Sequence, residues 1–80
     1  MKQYKVPSFT HRRKQIRTVA DIETQLIRAK SYVAQMKRAV KAASTFGEKQ
    51  RLAEYQKEAE RVLRQLRISS FDIEDELTQE

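Results

Sequence analysis

The stretch VADIETQLIRAKSYVAQMKRAVKAA, residues 19–43, decides the fold. From Val19 its apolar side chains fall at Ile22, Leu26, Ala29, Val33, Met36, Val40 and Ala43, in alternating steps of three and four. Such spacing keeps a stripe on one face of a helix turning every 3.6 residues and would scatter it over both faces of a strand. It is a heptad seam, with Val19, Leu26, Val33 and Val40 in one column and Ile22, Ala29, Met36 and Ala43 in the other. The pattern stops at Ser44-Thr45-Phe46-Gly47-Glu48, where Gly47 can adopt a positive φ and Thr45 with Glu48 matches a capping box. A second seam then runs through Leu52, Tyr55, Ala59, Val62 and Leu66, widened by Leu63. A loop this short cannot carry the chain back along the first helix, so the two helices must run antiparallel. The predicted fold class is all-α, an antiparallel two-helix hairpin of coiled-coil type.

Working outward, residues 1–10 read as a basic extended arm, since Pro7 removes a backbone donor and biases Val6 away from the helical region. Residues 11–68 form the hairpin, with helix 1 over about 13–43, a loop at 44–47 and helix 2 over about 48–68; residues 69–80 form an acidic C-terminal segment. At 1.5 Å per residue the first helix would extend roughly 45 Å and the second roughly 31 Å, so the first overhangs. The overhang combines Ile16, Val19 and Ala20 with Arg12, Arg13, Lys14 and Arg17. The segment SSFDIEDEL, residues 69–77, offers Phe71, Ile73 and Leu77 beside Asp72, Glu74, Asp75 and Glu76. Apolar matches apolar and acid matches base, which predicts that the segment folds back as a strap or a short third helix capped by Ser69 or Ser70. Docking would run through Ile16, Val19, Ile22, Phe71, Ile73 and Leu77. Ala29, Ala43 and Ala59 leave the seam shallow, so a further layer is needed from this tail, from a second copy in a four-helix bundle, or from another protein.

Composition removes several function classes. Eighty residues make one domain with a thin core, and one glycine, one proline and 35% charged against 39% apolar residues suit long helices rather than sheets. Without cysteine there is neither a disulfide framework nor a thiolate metal site, and there is no apolar run near the 18 residues of a membrane span. The opening MKQYKVPSFTHRRK lacks the continuous apolar core of a signal peptide, so a soluble cytoplasmic protein is expected. His11 is the single histidine, no glycine-rich loop is present, and Ser69 and Ser70 have no base near them in sequence. The expectation is a non-enzymatic chain without metal or cofactor.

The net charge of +6 is unevenly spread: residues 1–43 carry a balance of +9 and residues 44–80 a balance of −3. Lys2, Lys5, Arg12, Arg13, Lys14 and Arg17 alternate with Tyr4 and Phe9 near the N-terminus, and Lys30, Lys37, Arg38 and Lys41 continue the positive surface along helix 1. Cations between aromatic rings suit single-stranded nucleic acid, because the cations take phosphates while the rings stack on unpaired bases. On helix 2 the pairs Glu54 with Lys57, Glu58 with Arg61 and Glu60 with Arg64 stand at helical spacing and would neutralise one another. Tyr55, on the second seam, reads as core with its hydroxyl at the edge, Tyr32, beside Val33, as a flank of the interface, and Phe46 as a lid over the hairpin end.

The leading expectation is a small nucleic-acid-binding accessory protein whose acidic tail moderates the contact, alone or within a larger nucleic-acid-processing complex. An acidic protein would suit the same surface. The alternative is a helical adaptor or chaperone that lends Ile16, Val19 and Ile22 to a partner's helix. In outline that layout is similar to small hairpin co-chaperones of bacterial secretion systems, a likeness of architecture.

Overall fold

The computed structural model describes residues 5–79. It contains three helices: α1 (Phe9–Lys14), α2 (Val19–Ala42) and α3 (Phe46–Thr78). α2 and α3 pack side by side along most of α2 and form the hairpin read from the two seams. The molecule is a rod of 52 × 18 × 16 Å, its length set by the 33 residues of α3, which span about 50 Å.

Local chemistry places each boundary. The hairpin turn is Ala43-Ser44-Thr45, both cap residues extended, with Thr45 Oγ1 accepting from the Glu48 N–H at 3.1 Å. Gly47 therefore lies in the first turn of α3 with no positive φ, and the hydroxyl cap makes the turn. At the other end of α2, Thr18 is extended and its hydroxyl accepts from the Asp21 N–H at 3.3 Å. Asp21 Oδ2 accepts in return from the backbone N–H groups of Arg17 and Thr18, at 3.0 and 3.1 Å. This reciprocal box starts a new helix at Val19, so the predicted continuous helix over about 13–43 is divided into α1 and α2 by a reversal at residues 15–18.

The C-terminal segment departs further from expectation. It is neither a strap nor a separate helix: residues 69–78 are the last turns of α3. No glycine or proline lies between Glu48 and Glu80 to stop the helix. The seam also continues, since Ile73 is buried and Ser69, Ser70 and Leu77 are half-buried. The Ser70 hydroxyl is satisfied inside the helix by donating to the Arg67 carbonyl at 2.9 Å. The overhang consequently belongs to α3, nine residues longer than the 24-residue α2, or about 13 Å.

The third layer comes from the N-terminal segment. Tyr32 Oη donates to the Lys5 carbonyl at 3.2 Å, Arg12 Nη1 donates to Gln25 Oε1 at 3.1 Å, and Ile16 joins the core cluster that holds Ile22 and Ile73. Residues 5–16 thus run antiparallel to α2. Val6, Pro7 and Arg12 lie over Ala29 and Ala59, beside Tyr32 and Val62. Where two alanines face each other the seam is shallow, and this segment supplies the missing side-chain volume. Met36 and Leu66 are the largest fully buried side chains of the core.

Candidate nucleic-acid interface

The helices divide the predicted cations into those that hold the fold together and those that face solvent. Arg12 belongs to the first group: it is 7% exposed and has no acid partner among the described residues. Its Nη1 bonds the buried Gln25, and its Nε is buried with no partner. Burial, and then the charge of nearby Arg28, lower its pKa from the ordinary arginine value, while Tyr32 acts in the opposite sense. Arg13 donates through Nη1 to the Ile16 carbonyl at 3.2 Å and pairs through Nη2 with Glu76 Oε2 at 2.6 Å. It closes the 15–18 corner against the end of α3. Lys14 and Arg17 are exposed; Arg17 contributes its backbone N–H to the Asp21 carboxylate.

Lys2 and Tyr4 lie outside the described residues. Lys5 is exposed while its carbonyl is held by Tyr32. Phe9, read as a stacking ring, packs against the core, because the segment carrying it is the third layer. Of the six predicted docking residues, Ile16, Ile22 and Ile73 are buried in one cluster and Leu77 packs partly against it. Val19 and Phe71 are 43% and 77% exposed. Phe46, read as a lid, is 75% exposed on the first turn of α3.

Lys30, Lys37, Arg38 and Lys41 are all exposed on α2. Lys30, Lys37 and Lys41 recur on one side of the helix, at steps of seven and four. Lys30 and Lys37 border an open groove of about 360 Å³ between α2 and α3, with Val33, Ala34 and Leu63 along it and Glu60 and Arg67 on the α3 side. Two cations were missed by the sequence reading, Arg28 on the side of α2 nearer Arg12 and Arg67 in this groove. Arg28 lies inside an acid-free run, residues 24–47, which was legible from composition. Arg67 enters the groove only through the antiparallel pairing, which no local pattern reveals. Across the groove Glu60 accepts from Gln56 Nε2 at 2.8 Å, whereas Glu58 and Arg61 pair at 2.9 Å as their spacing predicts. No ion pair of Arg28, Lys30, Lys37, Arg38 or Lys41 exists among the described residues.

Among the described residues no group of three or more His, Cys, Asp or Glu could hold a metal ion, and none of their helices is long and apolar enough to cross a membrane. No protein-family model, curated protein or solved structure matches the chain.

Proposed function

We propose that this chain is a small non-enzymatic nucleic-acid-binding accessory protein, and that the phosphate contacts come from α2 rather than from the N-terminal segment. One observation carries the reading: five cations stand between residues 24 and 47 without an acid, and none is ion-paired among the described residues. Unneutralised cations along a rigid rod, with Lys30, Lys37 and Lys41 on one side of α2, suit a polyanion. A single strand is the ligand proposed, lying in the open groove beside Lys30 and Lys37, where Ala34 is exposed above the buried Val33 and Leu63. Arg12 and Arg13, occupied by Gln25 and Glu76, contribute to the fold instead.

Fluorescence anisotropy with a labelled single strand at several salt concentrations tests this. Affinity should fall with salt, and the Lys37→Ala, Arg38→Ala and Lys41→Ala triple variant should flatten the log–log slope by about 0.7 for each phosphate that no longer meets a cation. An unchanged slope in the triple variant would refute the assignment. The adaptor reading, which places a partner's helix on Ile16, Val19 and Ile22, would require that partner to displace the N-terminal segment, since Ile16 belongs to it and is buried in one cluster with Ile22.

A further inference from the structure

Two surface features on this chain complement each other and cannot meet within one molecule. The first is the open groove, where three cations, Lys30 and Lys37 on α2 and Arg67 on α3, and one carboxylate, Glu60, which accepts from Gln56, surround the buried Val33 and Leu63. The second is a knob on the far end of α3. Phe71 is 77% exposed and Ile68, one turn earlier, is 71% exposed. Glu74 and Asp75 follow Phe71 at spacings of three and four, so they flank the ring on the helix surface. Neither carboxylate has an ion pair among the described residues.

A large ring and a branched chain standing in water beside free carboxylates lack a cover, and the cationic groove, open above Val33 and Leu63, offers one. Leu63 and Phe71 are eight residues apart on one unbroken helix, about 12 Å along its axis. A helix cannot fold its own end back onto its middle. Covering the knob with the groove therefore takes two molecules.

We propose that two copies of this chain associate antiparallel, each seating Phe71 over Val33 and Leu63 of the other, with Glu74 and Asp75 facing Lys30 and Lys37. The arrangement is isologous: the same two patches serve both copies, and the contact closes on itself. Apolar contact supplies the attraction, and the charges set the antiparallel direction, since a parallel pairing would set cation against cation. The groove cations are then shared with any bound strand, so self-association and strand binding exclude each other. Only that consequence rests on the nucleic-acid reading; the association itself is measured without nucleic acid.

Sedimentation equilibrium of the full chain at low and moderate salt tests the proposal. A reversible monomer–dimer equilibrium is expected, weakened by salt. Phe71→Ala should raise the dimer dissociation constant at least about tenfold, the loss of one buried aromatic anchor per copy. Its helical circular dichroism should stay unchanged, because the ring is outside the core. The Lys30→Glu and Lys37→Glu double variant should likewise be monomeric alone. Mixed with Phe71→Ala, it should form a weak heterodimer, because its intact knob meets the intact groove of Phe71→Ala while the reciprocal seating is lost. Adding Glu74→Lys and Asp75→Lys to the double variant should restore a dimer with itself. A wild-type chain that stays monomeric into the high micromolar range would overturn the proposal. So would a dimer indifferent to Phe71→Ala, or a charge-swapped quadruple variant that fails to associate.

Discussion

The hairpin has two long grooves between α2 and α3, and the chain treats them differently. One takes residues 5–16 as a third layer over Ala29 and Ala59; the other stays open along Val33, Ala34 and Leu63. Arginine in the filled groove has become structural, sealed at 7% exposure against Gln25, whereas lysines along the open groove keep their water. Sequence proximity to other cations is thus a poor guide to which charges face a ligand. The facing side chain decides: paired alanines leave a hollow that the chain's own segment fills, while Val33 and Leu63 fill the seam themselves.

Breaking the filled side has the largest expected effect. Ile73→Ala removes a buried side chain, 3% exposed, that shares a cluster with Ile16, and should cost about 2–4 kcal/mol in urea unfolding. Hydrogen exchange should show the amides of residues 9–16 losing protection more than those near the hairpin turn. Equal loss at both ends would mean that the third layer is not held there.

The next test sharpens the contrast by removing the buried polar contact. Arg12 Nε lacks a partner, so the Arg12→Met and Gln25→Leu double variant should be neutral or more stable by up to about 2 kcal/mol, although Arg12→Met alone leaves Gln25 unpaired and should gain less. A double-mutant cycle by thermal unfolding measures this. A double variant that is strongly destabilised would show that the arginine contributes packing the sulfur cannot replace.

The corner between the two layers should respond to acid. The backbone N–H groups of Arg17 and Thr18 lower the Asp21 pKa below its ordinary value. A carboxylate with a depressed folded-state pKa contributes stability that is fully present above its unfolded value and is lost as pH falls through the folded one. The stability difference between wild type and Asp21→Ala should therefore be constant near neutrality, begin to shrink below about pH 4, and vanish further down. Chemical denaturation at stepped pH follows it. Thr18→Ala, which removes the hydroxyl half of the box, should cost about 1 kcal/mol with little pH dependence.

Smallest is the expected effect of Lys37→Ala on folding, within about 0.5 kcal/mol, because the side chain is exposed and has no ion pair among the described residues. The same change should weaken strand binding. A variant that alters stability and binding together would join the open groove to the fold and end the contrast.

The seams of α2 and α3, the turn near residue 45 and the antiparallel hairpin were legible in the sequence, because heptad spacing and hydroxyl caps act over a few neighbouring residues. The match between Arg13 with Ile16 and the acidic, apolar end of α3 was legible too, as complementarity between distant segments. Which segment moved was not. Thr18 and Asp21 carry a capping box that Ile16, apolar and three residues before Val19, disguises as continuous helix, and Ser69 with Ser70 resemble a cap although nothing after them stops the helix. By itself the sequence determined that the chain is a helical hairpin, the periodic faces of its two seams and the excess of positive charge on the first half. Only the tertiary structure decided that residues 5–16 occupy one groove, that Arg12 is buried and that Arg67 faces Lys30 and Lys37 across the other. The physical reason is range: caps and periodicity are local, whereas filling a hollow between Ala29 and Ala59 depends on which distant segment fits it once the hairpin has closed.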